Sequence, residues 1–260
     1  MASLAGVGVA FKLAQGILER YEKLDFSSEI LPFVAVGTIA DIVPLIGENR
    51  YYVLKGLELI SKGKHYGIKR ILENAGYNNI EDGVKAEQIA FGVAPRINAS
   101  GRLDTVKDAV TVMISENKQE VELAVMSLEN LNKIRQDLCA EIFAQADKMA
   151  EKDRNNVLVL FNKDWHIGII GIVASKLVEK YGKPTFLMTY SEETNQYRCS
   201  ARGVEGCEDL SLHEMISNIS DKLDGFGGHT LAAGLYFSEE KASFDEVKKA
   251  LIESYNKLNR

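Results

Sequence analysis

The sequence predicts an α/β protein made of part of a parallel-sheet lobe, one long connecting helix, and a smaller mixed-sheet α/β lobe. Three observations carry that reading. Helix-like and strand-like apolar patterns alternate along the chain. From about residue 118 to 153, apolar residues recur three and four apart without a single Gly or Pro. The composition is ordinary for a globular protein, 46% hydrophobic and 26% charged over 260 residues, which excludes disordered and collagen-like classes.

The elements follow in order. Val7, Phe11, Leu13, Ala14, Ile17 and Leu18 give residues 7–21 the broad apolar face of a helix. This glycine-rich helix opens with no strand or cap before it, so the chain reads as starting inside a domain. Leu31 to Ile39 is a near-continuous apolar run, broken by Pro32 and Gly37, and suits a strand buried on both faces. Residues 51–61 and 68–75 are helical, the second ended by Gly76. Residues 76–86 carry Gly, Asn and Asp and form a loop. At ~1.5 Å per residue the long helix reaches roughly 50 Å, and a helix of that length with so much polar surface bridges two domains.

Beyond it, strands are expected at 157–161, 185–190, 197–202 and 231–237, and helices at 168–181 and 212–219. Asp209 or Ser211 caps the latter. Ser243 and Glu246 form a capping box that opens a terminal helix. The chain thus divides into 1–85, 86–155 and 156–260.

Charge and cysteine content narrow the function. The net charge of −6 argues against a protein that coats nucleic acid over its whole surface, and leaves room for a local cationic pocket. Cys139, Cys199 and Cys207 form neither a disulfide framework nor a CxxC metal site. A reduced cytoplasmic protein is expected. No apolar run reaches the ~18 residues of a membrane span.

Five motifs could carry chemistry. In Gly37-Thr38-Ile39-Ala40-Asp41, a carboxylate at a strand's C-terminal end is either a metal ligand or a cap for the next element. Pro95 to Arg102 sets Arg96, Asn98 and Arg102 among small residues. Arginine forks bind phosphate oxygens, and an ordinary loop with solvated arginines is the other reading. Asp164 to Gly171 opens a helix with glycines and His166. That is a ready anion site or simply close helix–sheet packing with a histidine cap. Arg198, Ser200 and Arg202 alternate, so on a strand they share one face, either a phosphate pocket or a solvent face. Gly225 to Gly234 holds four glycines around His229, a ligand-facing backbone or a plain turn. His65 and His213 have no such setting and are read as structural.

Taken in this order, the motifs GVGVAFKL, GTIADIVPL, PRINASGRL, WHIGIIGIVASKL, CSAR and GFGGHTLAAG resemble the RecJ family of single-strand-specific 5′→3′ DNA exonucleases, within the DHH phosphoesterase superfamily. The resemblance runs through the whole chain. It implies a phosphodiester hydrolase of DNA repair and recombination, with Mn2+ or Mg2+ in one lobe and nucleic acid held by the second. By that resemblance Asp41 is a metal ligand and, with His166, belongs to the catalytic cleft. Arg96, Asn98 and Arg102 lie near the 5′ end. Ser200 and Arg202 grip the terminal phosphate, and Gly227, Gly228 and His229 line the nucleotide site. Single-stranded DNA is the implied partner, with a helicase and a single-strand-binding protein beside it, no membrane, and a monomeric state.

The sequence departs from the superfamily in lacking Asp-x-Asp and Asp-His-His motifs. One carboxylate does not assemble a two-metal site. The chain therefore reads as a C-terminal fragment, inactive alone, with no metal bound, that binds the 5′-phosphate end of single-stranded DNA. Two other readings stand beside it. One is an oligonucleotide or cyclic-dinucleotide phosphodiesterase of the same superfamily. The other is a non-catalytic nucleic-acid-binding module related to domains of tRNA synthetases. Exposed strand edges in an incomplete first lobe would favour self-association.

Overall fold

A computed structural model describes residues 4–22, 27–206 and 211–259. Its compact units are residues 1–134 and 135–260. The boundary falls inside the long helix, so the middle segment read over 86–155 is shared between the two. The physical reason is that each half of that helix buries its own stripe. Val121, Ala124, Val125 and Leu128 are buried in the first half, and Cys139, Ile142, Ala146 and Ala150 in the second.

The first unit is helical among the described residues. In order come α1 (Gly6–Arg20), α2 (Ser27–Ala40), α3 (Gly47–Ser61), α4 (Tyr66–Asn74) and α5 (Ala86–Gln88). A π-helical stretch, Ile89–Val93, leads into α6 (Ala94–Leu103). Then follow α7 (Lys107–Ile114) and the start of α8 (Lys118–Ala150). Ile60, Ile68, Ile71, Leu72, Ile89, Val93 and Leu128 form its core.

The strand expected at Leu31 to Ile39 is instead the body of α2. An apolar run buried on all sides has the same periodicity as a strand buried on both faces, and packing decides between them. Two glycines show how. A Cβ on Gly56 of α3 would lie 2.4 Å from the Leu31 carbonyl oxygen and 2.5 Å from the Ala35 Cβ. A Cβ on Gly37 of α2 would lie 2.8 Å from Val7 Cγ1 of α1. These close approaches let α1 and α3 pack directly on α2. Pro32 sits in the second turn, where its missing N–H costs one helical hydrogen bond near the start.

His65 is structural, as expected. Its Nδ1 accepts from the Ile68 N–H as the N-cap of α4, and its Nε2 donates to the Met113 carbonyl at 2.9 Å. Burial pushes its pKa below the ordinary histidine value, partly offset by the hydrogen bond to Met113.

The second unit takes the rest of α8, then β1 (Leu158–Phe161), α9 (Ile167–Tyr181), β2 (Thr185–Ser191), β3 (Gln196–Arg202), α10 (Leu212–Ser217), β4 (Gly225–Gly228), β5 (Ala232–Phe237) and α11 (Phe244–Leu258). The α/β class is borne out here. The five strands lie in the order β1-β2-β3-β5-β4, with β1 and β2 parallel and the other neighbours antiparallel. Tyr197, Cys199 and Ala201 point from β3 into a core with Leu212, Met215, Val247 and Leu251.

The Ser243–Glu246 capping box forms with both of its hydrogen bonds, and Ser211 caps α10. Asp209 and Cys207 lie outside the described residues. Gly225 to Gly228 is an edge strand rather than a glycine turn.

Candidate nucleic-acid interface

The polar face of β3 is the best-built site in the second unit. Strand alternation sends Tyr197, Cys199 and Ala201 to the core and leaves Arg198, Ser200 and Arg202 together on the opposite face. All three are half-buried. The Arg202 Nη1 donates to Ser200 Oγ at 3.2 Å and to the Ala201 carbonyl at 2.8 Å, which holds the guanidinium beside the hydroxyl. Burial pushes the Cys199 thiol up, so the core side of the strand carries an inert thiol.

Helix α9 reaches this pair through a glycine. A Cβ on Gly171 would stand 2.8 Å from Ser200 Oγ and 3.0 Å from Arg202 Nη2. The bare backbone of the early part of α9 therefore forms one wall of the Ser200–Arg202 site. Both readings of the glycines have a physical basis here, since close helix–sheet packing is what brings the polar pair against the helix.

The sheet register extends the face. Ser200 lies opposite Gly234, which lies opposite Gly227. No atom lies within 4 Å of the position where a Gly227 side chain would begin. The floor beside Ser200 is therefore backbone with no side chain over it, the surface a sugar or phosphate can approach. His229 is exposed at the turn from β4 to β5, its N–H bonded to the Ala232 carbonyl at 2.8 Å. Gly228 has φ +140°, and a Cβ there would strike the Ala233 backbone at 2.4 Å. Only glycine fits that position.

The β1–α9 loop is braced from behind. Trp165 is 3% exposed, and its Nε1 donates to Gln145 Oε1 at 2.8 Å. Asn162 donates to the same oxygen, and the buried Thr189 hydroxyl donates to the Trp165 carbonyl at 2.7 Å. Trp165 is thus a core strut. His166 is the N-cap of α9, its Nδ1 accepting from the Gly168 N–H at 3.1 Å.

The first unit brings Asp41 and Asn98 together. Both line a cavity of about 360 Å3 with Ala5, Gly6, Val7, Gly37 and Ala40. Asp41 is exposed just past the end of α2, so it stands at a helix terminus and not at a strand's end. It does not cap α3, whose N-cap is Ile46. Ile42, the next residue, has φ +54° and is 89% exposed. A β-branched side chain in that left-handed region is strained, and the strain turns the chain directly after Asp41.

The PRINASGR segment is a helix, not a loop. Helical periodicity separates its polar residues. Asn98 and Arg102, four apart, share an exposed face. Arg96 points the other way, with its side chain 12% exposed. Its Nε and Nη2 grip both oxygens of Glu129 on α8 at 2.5 and 3.1 Å, and its Nη1 donates to the Gly92 carbonyl at 2.8 Å. That carbonyl belongs to the π-helical stretch, so Arg96 pins an irregular turn to α8. The solvated-arginine reading fails for Arg96, and so does the expectation of a fork presented to phosphate.

Sequence reasoning missed Glu129, a single acid in the apolar rhythm of α8, and Tyr236 of β5, whose ring centre lies 4.8 Å from the Arg198 guanidinium carbon. Tyr236 follows from strand alternation once β3 and β5 are known to pair.

Metal binding can be judged from the donor set. Among the described residues, no three His, Cys, Asp or Glu side chains gather as a metal site. Asp41 alone does not make a Mn2+ or Mg2+ centre, which needs several oxygen or nitrogen donors. No helix among the described residues is long and apolar enough to cross a membrane.

Residues 154–257 match the DHHA1 domain family. The chain is 36% identical over 239 residues to the single-stranded-DNA-specific exonuclease RecJ of Bacillus subtilis, covering 91% of this chain and 29% of that protein. It is 32% identical over 260 residues to RecJ of Escherichia coli, covering 92% of this chain and 44% of the relative. A crystal structure of RecJ in complex with Mn2+ from Thermus thermophilus superposes with a TM-score of 0.83 at 31% identity, over 96% of this chain and 36% of that one. The chain therefore spans less than half the length of these relatives. The resemblance stated from the motifs is borne out: this chain is similar to RecJ exonucleases along nearly its whole length, and its second half to the DHHA1 domain family.

Proposed function

We propose that this chain is the nucleic-acid-holding part of a metal-dependent, single-strand-specific 5′→3′ DNA exonuclease of repair and recombination, acting in the cytoplasm. The observation that carries the reading is the Ser200–Arg202 pair on one sheet face, set against α9 at Gly171 and floored by Gly227 and Gly234. The guanidinium supplies charge and the serine a hydroxyl donor, which is the chemistry a terminal phosphate needs. His229, Gly228 and Gly227 line the adjoining nucleotide position, and His166 fixes the entry of α9 beside it. In the first unit, Asn98 and Arg102 present an exposed polar face to the nucleic acid, and Asp41 is one of the several oxygen donors that a metal needs. Arg96 acts indirectly, by holding α6 to α8. A helicase and a single-strand-binding protein are the partners this reading adds.

The chain alone is expected to bind and not to cut. Fluorescence anisotropy with a short single-stranded DNA at low salt should show tighter binding of a 5′-phosphate than of a 5′-hydroxyl end. Binding should weaken as salt rises, because phosphate contacts release counterions. Equal affinity for the two ends would overturn the phosphate assignment. Mn2+-dependent release of mononucleotides by the purified chain, lost in Asp41→Ala, would overturn its inactivity.

A further inference from the structure

Beside the phosphate pair, the same sheet face carries a second cluster. Arg198 lies two residues before Ser200 on β3, about 6.8 Å along the strand. It pairs in register with Tyr236 of β5, which in turn lies opposite Gly225 of β4. The Arg198 guanidinium carbon sits 4.8 Å from the centre of the Tyr236 ring. A Cβ on Gly225 would come within 2.4 Å of the Tyr236 hydroxyl oxygen and 2.5 Å of Cζ, so the ring leans across the edge strand into space that only glycine leaves. Asp224, at the outer end, is hydrogen-bonded by Gln196. The result is a layer of guanidinium and phenol, half-buried, next to the backbone floor at Gly227 and Gly234.

We propose that Arg198 and Tyr236 form a stacking shelf for the nucleobase that follows the terminal phosphate of a single strand. The proposal rests on the reading that Ser200 and Arg202 take that phosphate. Every base has a π-face, so such a shelf holds a strand without reading its sequence. A guanidinium plane is itself a stacking surface, and its charge adds attraction for the neighbouring phosphate. The shelf lengthens the site from one phosphate to a nucleotide step, and it favours single strands because only an unpaired base can lie on it.

The test uses the full chain and 5′-phosphorylated trinucleotides bearing either 2-aminopurine or an abasic sugar at the first position, the nucleotide that carries the phosphate. Binding should quench the aminopurine fluorescence. Tyr236→Leu should remove the quench and weaken the aminopurine oligonucleotide about tenfold, while leaving the abasic one bound as in the wild type. Tyr236→Phe should keep the quench, and Arg198→Gln should reduce it. Unchanged quenching in both Tyr236→Leu and Arg198→Gln would overturn the shelf, as would equal weakening of base and abasic oligonucleotides. If either of those results comes with a wild type that still prefers 5′-phosphorylated to 5′-hydroxyl trinucleotides, the shelf alone fails. If that preference is itself absent, the phosphate reading fails with it.

Discussion

Helix α6 and strand β3 carry nearly the same ingredients and use them differently. Each sets two arginines and small residues within eight positions. On α6 the 3.6-residue period scatters them: Arg96 turns inward onto Glu129, while Asn98 and Arg102 face out. On β3 the two-residue period gathers Arg198, Ser200 and Arg202 on one face. A cluster of polar residues in sequence becomes a site only where the local period returns them to the same side. The arginine buried by the helix is a brace, and the arginine gathered by the strand is the one we propose as a phosphate contact.

That contrast can be broken by exchanging the expected readouts. Glu129→Ala leaves the Arg96 guanidinium poorly exposed and without its acid, and should lower stability by about 1–2 kcal/mol in urea unfolding, between the worth of an exposed and a buried pair because Glu129 is itself partly solvated, with the 5′-phosphate preference of the folded protein intact. Arg202→Ala should do the reverse. It should weaken the 5′-phosphorylated strand roughly tenfold to hundredfold, the worth of a charge-assisted hydrogen bond, with little change in urea midpoint. If Glu129→Ala abolished phosphate preference without destabilising the fold, or Arg202→Ala unfolded the protein, the brace and the contact would have to be reassigned.

A subtler change sharpens the comparison on the β3 side. Gly171→Ala places a methyl against Ser200 Oγ and Arg202 Nη2. The guanidinium can swing away and the serine hydroxyl can rotate about χ1, and either movement breaks up the present Ser200–Arg202 arrangement. Phosphate affinity should fall about tenfold for a cost near 1–2 kcal/mol in stability. Wild-type affinity in this variant would mean that the helix wall takes no part in the site.

The smallest expected effect lies on the helical side and depends on pH. His65 must stay neutral to accept from Ile68 while donating to Met113. Its pKa is lower when folded, so the unfolded chain takes up the proton first as pH falls through about 6.5. Stability should therefore decline from about pH 7.5 to about pH 5.5, and His65→Asn should flatten that slope. A slope unchanged in His65→Asn would assign the pH dependence to another group.

Much of the second unit was legible in the sequence because its signals are local. The alternation of Tyr197 to Arg202 gives a strand and its two faces, and the Ser243–Glu246 spacing gives a helix start. The run Leu31 to Ile39 was not legible. Its residues are apolar in every direction, so neither period leaves a mark, and Pro32 and Gly37 read as breaks. Only the neighbours Val7 and Gly56 make α2 a helix packed on two others. Asp41 was expected at a strand end and stands instead at a helix end, where it lines a cavity that only the fold reveals.

By itself the sequence determined the α/β class, the long helix, the likeness to RecJ, and the face shared by Arg198, Ser200 and Arg202. These follow from periodicity and motif order, which are properties of short stretches of chain. Tertiary structure decided that Arg96 is spent on Glu129, that Gly171 walls the Ser200–Arg202 pair, and that Tyr236 lies beside Arg198 over Gly225. Arg96 and Glu129, Gly171 and Ser200, and Arg198 and Tyr236 stand 33, 29 and 38 positions apart. A guanidinium engages whichever acid or ring the fold brings within reach, and that distance is fixed by packing and strand register alone.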